Sequence, residues 1–121
     1  MDIETAIAGV QKERNALQTS EGLSPSYISE HMYLLTQYNG SLEEALAEEE
    51  KKLELHEASL FKEHRESGMS VNAAQVQTKH DVATERAEVI RLTRLCNSSW
   101  RFISSAQSRI KHLLAEAQNQ I

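Results

Sequence analysis

The side chains with the clearest capacity for chemistry are basic residues near the C-terminus. From Val89 onward the sequence has one acid, Glu116, and five basic residues: Arg91, Arg94, Arg101, Arg109 and Lys111. In a helix, one stripe would carry three of these arginines with small or polar side chains between them: Arg91, Arg94, Ser98, Arg101, Ser105, Ser108 and His112. Small serines between arginines let a nucleic-acid backbone approach closely. The stripe therefore predicts either a solvated basic face or a surface for phosphate or for an acidic partner.

The histidines, the cysteine and the glycines form no recognisable catalytic or metal-binding pattern. The five histidines include no His-x-x-x-His pair and no Glu-x-x-His pair. Cys96 is the one cysteine, and it falls at a core position of the helical pattern, which favours an inert buried thiol over a nucleophile. The four glycines match no nucleotide-binding fingerprint. We therefore expect a protein that is not an enzyme, with no cofactor and no metal site.

Charge is unevenly distributed along the chain. Residues 1–57 hold twelve acidic and four basic side chains, whereas residues 58–121 hold six acidic and nine basic ones. The net charge of −5 conceals this division. The division could hold the molecule together, join copies of it, or bind a polyanion, and the sequence leaves these alternatives open.

The composition is typical of an all-α protein. The 121 residues include four glycines and one proline, which are too few turn formers for a sheet with many hairpins. Aromatic side chains are also scarce, at 5%. A single cysteine excludes an intrachain disulfide and favours a reducing setting such as the cytoplasm. The N-terminus lacks a basic region with a long apolar run, and no stretch has the length and apolarity of a membrane span. We expect a cytoplasmic protein without a membrane partner.

Breaks in the apolar pattern divide the predicted single domain, residues 1–121, into three segments: a short N-terminal helix over 1–20, a helical arm over 24–67 and a second arm over 70–118. Ser24-Pro25 is a favourable helix start, with a capping serine and a proline at the first helical position. Asn39-Gly40 either ends a helix or lies within one that runs through, and the pattern leaves both open. Ser67-Gly68-Met69 is the clearest break, and Ser70 can cap the next helix, which we expect to be loose until about Lys79.

The final segment has the most regular apolar pattern. Five apolar residues recur every seven positions: Val82, Val89, Cys96, Ile103 and Ile110. Further apolar residues make this face wider than a two-position seam, which suits a helix that contacts two or more neighbours in a bundle or an oligomer. We therefore assign core or oligomer packing to six residues: Val89, Cys96, Trp100, Ile103, Ile110 and Leu114.

Together the segments predict a long antiparallel helical hairpin, coiled-coil-like and oligomeric, with one or two shorter N-terminal helices. If the turn and its capping region extend to about residue 79, Glu57 lies near Arg91 and Glu54 lies near Arg94. Acidic and basic side chains would then face each other along the hairpin, in exposed pairs that each stabilise it by about 0–1 kcal/mol.

An ordered series of motifs extends from about Tyr27 to Leu114, roughly three quarters of the chain. In order, it comprises His31-Met32-Tyr33-Leu34, Lys51-Lys52 in an acidic helix, a turn at Gly68, Lys79-His80-Asp81, Leu95-Cys96, Ser99-Trp100, Ala106 and Arg109-Ile110-Lys111. In this order the features resemble small helical proteins of tailed-phage recombination and replication, nearest to the recombination mediator proteins of the UvsY type.

The resemblance implies a ring-like or other homo-oligomer that binds single-stranded DNA. Such a protein helps to load a recombinase onto strands covered by single-strand-binding protein, in the bacterial host cytoplasm if the chain is phage-encoded. Lys51 and Lys52 match the basic helix of that family, but Glu54 and Glu57 follow them here. We therefore expect DNA contacts mainly from the last helix, and the candidates are Arg91, Arg94, Arg101, Arg109 and Lys111, with Lys51 and Lys52.

An alternative function fits the same patterns. A helical protein with a wide apolar face and an acidic helix could bind or inhibit a host or phage protein without contacting nucleic acid. Retention of protein binding after loss of the arginines of the last helix would distinguish this alternative.

Overall fold

Four α-helices make up most of the part of the chain that the structure describes. The computed structural model describes residues 1–19 and 24–119. Within these residues there is no strand, and the helices are α1 (Ile3–Gln18), α2 (Pro25–Glu66), α3 (Val71–Asp81) and α4 (Ala83–Asn119). The predicted all-α class is confirmed. The hairpin along the whole chain and the oligomer remain predictions.

Three helices begin at side-chain caps, two of which the sequence indicated. Asp2 caps α1 by accepting a hydrogen bond of 2.7 Å from the Thr5 amide. Ser24 accepts from the third residue of α2 at 3.2 Å, and Ser70 accepts from the third residue of α3 at 3.2 Å. Each cap satisfies an amide that no preceding turn can bond. Residues 20–23, where the sequence predicts the first break, lie outside the described residues.

Helix α2 passes through Asn39-Gly40 without a break, which decides the alternative that the sequence left open. The Asn39 side chain is fully buried, and its Nδ2 donates to the Cys96 carbonyl at 3.3 Å. Side-chain packing and this hydrogen bond therefore outweigh the local preference of Asn-Gly for a helix end.

The expectation of one arm over 70–118, loose until about Lys79, requires a correction. A regular helix, α3, already begins at Val71, and it ends at a C-cap on Val82. Helix α4 begins at the next residue, Ala83. Val82 is fully buried at this junction. It is the first residue of the predicted heptad series, and yet it is also the residue at which α3 ends.

The helices group into two units, of which the first contains the described residues of Met1–Glu44 and Arg94–Ile121. It comprises α1, the first part of α2 and the larger part of α4. Its core is built from apolar side chains of all three helices: Ala6, Val10, Leu17, Ile28, Leu35, Leu42, Cys96, Ile103 and Ala106. Each large aliphatic side chain that is fully buried stabilises the fold by roughly 1.5–3 kcal/mol.

Helix α1 is held in the first unit by a close approach and by a buried hydrogen-bonded pair. Gly9 is buried against the ring of Tyr38, and a Cβ at position 9 would lie well inside van der Waals contact with that ring. One turn further on, Glu13 is 2% exposed, and its carboxylate pairs with Nδ1 of His31. The His31 ring packs on Tyr27 at 4.1 Å between centroids. A buried carboxylate without this partner would be strongly unfavourable.

The second unit, Ala45–Thr93, contains the end of α2, α3 and the start of α4. The chain reverses between Glu66 and Val71, where Gly68 has φ +99°. Five apolar residues are buried: Leu46, Leu53, Ala74, Val82 and Leu92. Three side-chain pairs join the two sides of the turn: His64–Asp81 at 2.8 Å, His56–Glu85 at 2.9 Å, and Arg86–Glu57.

The predicted pairing of Glu57 with Arg91 and of Glu54 with Arg94 is wrong. Glu57 bonds to Arg86, and Arg91 bonds to Glu88 in its own helix. The expectation assumed a loose connection up to residue 79, whereas α3 begins at Val71. The shorter connection brings an earlier residue of α4 opposite Glu57.

The close approach of α1 leads to a prediction about stability. Gly9→Ala should lower the free energy of unfolding by about 1–3 kcal/mol, because the added methyl group overpacks the contact with Tyr38. Gly40→Ala is the matched control, since a Cβ there meets nothing within 4 Å. It should raise stability by about 0.8–1 kcal/mol through helix propensity. Urea denaturation followed by circular dichroism measures both changes, and a Gly9→Ala variant at least as stable as the wild type would contradict the close packing.

Candidate nucleic-acid interface

Helix α4 presents an exposed basic face in the first unit. We define the basic face by five residues at helical spacing: Arg94, Ser98, Arg101, Ser105 and Ser108. Both arginines are exposed, and neither has an ion-pair partner among the residues that the structure describes. Ser98 is half-buried, and its hydroxyl donates to the Leu95 carbonyl at 3.1 Å. Two guanidinium groups are thus available to an external anion.

Arg91 belongs to the second unit and has an internal partner. Its guanidinium donates twice to the Glu88 carboxylate, from Nε at 3.1 Å and from a terminal nitrogen at 2.7 Å. The hydrogen bond from Arg91 holds the pKa of Glu88 below its ordinary value, and the same bond raises the pKa of Arg91. The carboxylate competes with any phosphate for this arginine, so Arg91 is a weaker candidate than the sequence suggested.

The lysine pair of α2 lies among acids in the second unit. Lys51 and Lys52 are both exposed, and Lys52 Nζ lies 3.5 Å from the Glu49 carboxylate. Neighbouring glutamates on the same helix reduce the positive potential that a phosphate would meet. The acidic residues around Lys51 and Lys52 therefore favour α4 as the candidate interface.

The remaining basic candidates occupy two different environments near the end of α4. Lys111 is exposed, and the neighbouring His112 pairs with Glu116 at 3.2 Å. Arg109 is half-buried and lines a pocket together with Leu17 and Gln18 of α1. Lys111 can extend the positive charge of the basic face, whereas Arg109 contributes to a groove beside it.

This groove lies between α1 and α4 and was not foreseen from the sequence. We call it the α1–α4 groove; its lining includes Gln11, Arg14, Asn15, Gln18, Phe102 and Arg109. Arg14 lies over the Phe102 ring, with its guanidinium carbon 4.6 Å from the ring centroid. Arg14 is one of two basic residues in α1, and no spacing rule joins it to a phenylalanine 88 positions later.

The six residues assigned to packing fall into three groups. Cys96 and Ile103 are buried in the first unit, and Val89 and Ile110 are half-buried. Trp100 and Leu114 remain 40% and 51% exposed. The interpretation of Trp100 as a core residue within the chain needs correction, because its indole Nε1 donates to the Glu43 carboxylate at the surface. Packing of Trp100 and Leu114 in an oligomer stays a prediction.

The structure bears on two of the expectations about chemistry, the one for a metal site and the one for Cys96. Residues 1–19 and 24–119 contain no cluster of three or more His, Cys, Asp or Glu side chains that could hold a metal ion. Burial, together with the charge of Glu43, raises the pKa of the Cys96 thiol to about 11. The thiol is therefore protonated near neutral pH, which disfavours a nucleophilic role.

The raised pKa of Cys96 gives a second prediction. Roughly 0.1% of the thiol is ionised at pH 8, so the native protein should react with a disulfide reagent on the order of a hundredfold more slowly than the unfolded chain. The rate should rise with pH up to about 11 as the thiolate forms. Absorbance of the released thiolate in native buffer and in guanidinium measures both rates, and equal rates would contradict the buried position.

No family model, curated protein or solved structure matches the chain. No helix in the described part of the chain is long and apolar enough to cross a membrane. The resemblance to recombination mediators of the UvsY type therefore stays a prediction that rests on the sequence motifs.

Proposed function

We propose that this protein is a non-enzymatic accessory protein of phage-type DNA recombination or replication, and that it binds single-stranded DNA through α4. The observation that carries the proposal is the basic face, where exposed Arg94 and Arg101 have no ion-pair partner among the described residues. Serine side chains between and beyond the arginines leave room for a phosphate backbone. Lys111 adds a further positive charge on the same helix.

The distribution of internal ion pairs supports this choice of surface. In the second unit, Arg86 bonds to Glu57 and Arg91 bonds to Glu88, so both cations already have carboxylate partners. A polyanion gains most from cations whose charge is not already neutralised by the protein, because their contacts release counterions from the nucleic acid. The protein partners, a recombinase or a single-strand-binding protein, and action as a homo-oligomer follow from the resemblance and form part of the proposal.

A second function is favoured by a separate observation. In the first unit three large apolar side chains are exposed on α2 and α4: Tyr33, Trp100 and Leu114. Aromatic and aliphatic side chains of this kind often serve in protein interfaces. A helical interaction or inhibitor protein that binds another protein without nucleic acid is therefore the alternative.

Binding of labelled oligothymidylate, measured by fluorescence anisotropy over a range of salt concentrations, tests the proposal. Wild-type protein should bind at low salt, with affinity that decreases steeply as salt increases. The double variant Arg94→Gln and Arg101→Gln should bind more weakly. Its log–log salt slope should be smaller by about 1.4, because each lost phosphate contact removes roughly 0.7 from the slope for single strands.

The control removes the same charge elsewhere. A double variant of exposed Lys62 and Lys79, each changed to Gln, also loses two positive charges but leaves α4 intact. It should retain most of the affinity and the wild-type slope. Absence of binding by the wild type at low salt, or equal losses in the two double variants, would overturn the proposal and favour the protein-interaction alternative.

A further inference from the structure

The α1–α4 groove is large enough to hold a small ligand. It consists of two adjoining pockets of about 330 Å³ and about 200 Å³, both of which are lined by Gln18 and Phe102. Small-molecule pockets in proteins begin at about 300 Å³. The larger pocket, beside Arg14, therefore has room for one ring system, and the smaller pocket leads from it towards Arg109.

The chemistry of the lining is cationic, aromatic and amide-rich. Arg14 lies over the ring of Phe102 and also lines the larger pocket. Gln11, Asn15 and Gln18 add carboxamides, which can donate and accept hydrogen bonds. Among the described residues that line the two pockets there is no carboxylate. The lining thus favours an anion that carries a flat, hydrogen-bonding ring.

We propose that the α1–α4 groove binds one nucleotide unit. The base stacks on the guanidinium of Arg14, which Phe102 supports from the other side, and the phosphate lies towards the hydroxyl of Ser105 and the neighbouring Arg101. Stacking of unpaired bases on aromatic rings and on guanidinium planes is a general mode of single-strand recognition. This inference deepens the proposed function, because it rests on single-strand binding and adds a subsite that reads an unstacked base.

The position of the groove is consistent with a strand on the basic face. Ser105 belongs to the basic face and also lines the smaller pocket, and Phe102 follows Arg101 directly in α4. A strand whose phosphates contact Arg101 can therefore insert a neighbouring base beside Arg14. A duplex cannot do so without unpairing, because its bases are stacked inside the helix. The groove thus supplies a physical reason for preferring single strands.

Substitution of Arg14 by Lys separates stacking from charge. Lysine retains the positive charge and the long aliphatic stem but lacks the planar guanidinium. Arg14→Lys should bind oligothymidylate about tenfold more weakly than the wild type, the loss expected for one stacked base. It should bind an abasic oligonucleotide of equal length as the wild type does. Arg86→Lys is the matched control, because that residue lies in the second unit and lysine keeps the positive charge opposite Glu57.

Phe102→Leu gives an independent variant that keeps an apolar side chain in the half-buried position. It should also weaken binding of oligothymidylate but not of the abasic strand, and thermal unfolding by circular dichroism checks that both variants are folded. Wild-type affinity of Arg14→Lys for oligothymidylate would overturn the subsite. An equal loss on the abasic strand would overturn it as well, because charge alone would then explain the effect.

Titration with thymidine monophosphate shows whether the groove binds a free nucleotide as well as a nucleotide within a strand. It also tests the groove separately from the proposed binding of single-stranded DNA. Binding of the free nucleotide that Arg14→Lys weakens supports the groove and adds free nucleotides as ligands. If the wild type binds no oligothymidylate at low salt, the proposed function is overturned, and this titration alone decides the groove. Absence of binding by both the oligonucleotide and the free nucleotide overturns the subsite.

Discussion

The close approach of α1 to α2 is the constraint on which the first unit depends. Gly9 has no side chain, and the ring of Tyr38 occupies the space that a Cβ would fill. This contact places Glu13 in the interior, where it needs His31 as a partner, and it allows Val10 and Leu17 to enter the core. Once α1 is fixed in this way, its other side faces α4 and forms one wall of the α1–α4 groove. A packing requirement at one glycine therefore determines whether the candidate subsite exists.

Charge has different roles in the two units. In the second unit, acids and bases join the two sides of the chain reversal, as in His64–Asp81 and Arg86–Glu57. Hydrogen bonds from Gln77 and His64 hold the pKa of Asp81 below its ordinary value, which indicates that these contacts favour the ionised carboxylate. In the first unit, the arginines of the basic face have no such partners among the described residues. The uneven charge of the sequence is thus partly structural, and a binding function rests on a few arginines.

Capping rules and heptad spacing predicted the helix starts and part of the core, because these features depend on residues that are near in sequence. The caps at Ser24 and Ser70 follow from serine hydroxyls before helical segments, and burial of Cys96 and Ile103 follows from heptad spacing. Features that depend on tertiary contacts were not accessible. Burial of Asn39 keeps α2 continuous, the short connection before α3 pairs Glu57 with Arg86, and a carboxylate on α2 holds the Trp100 indole at the surface. The cation–π contact of Arg14 with Phe102 joins distant segments, and a single sequence carries no signal for it.

The central claim is that a single strand contacts α4 and the adjacent side of α1, and not the lysine pair of α2. Photo-crosslinking of a thiothymidine oligonucleotide to the wild-type protein, followed by mass spectrometry of the cross-linked peptides, tests this claim most directly. We expect cross-links in α4 between Arg94 and Lys111 and in α1 between Gln11 and Gln18. Cross-links concentrated on the segment that contains Lys51 and Lys52, or none above the background of a duplex control, would contradict it.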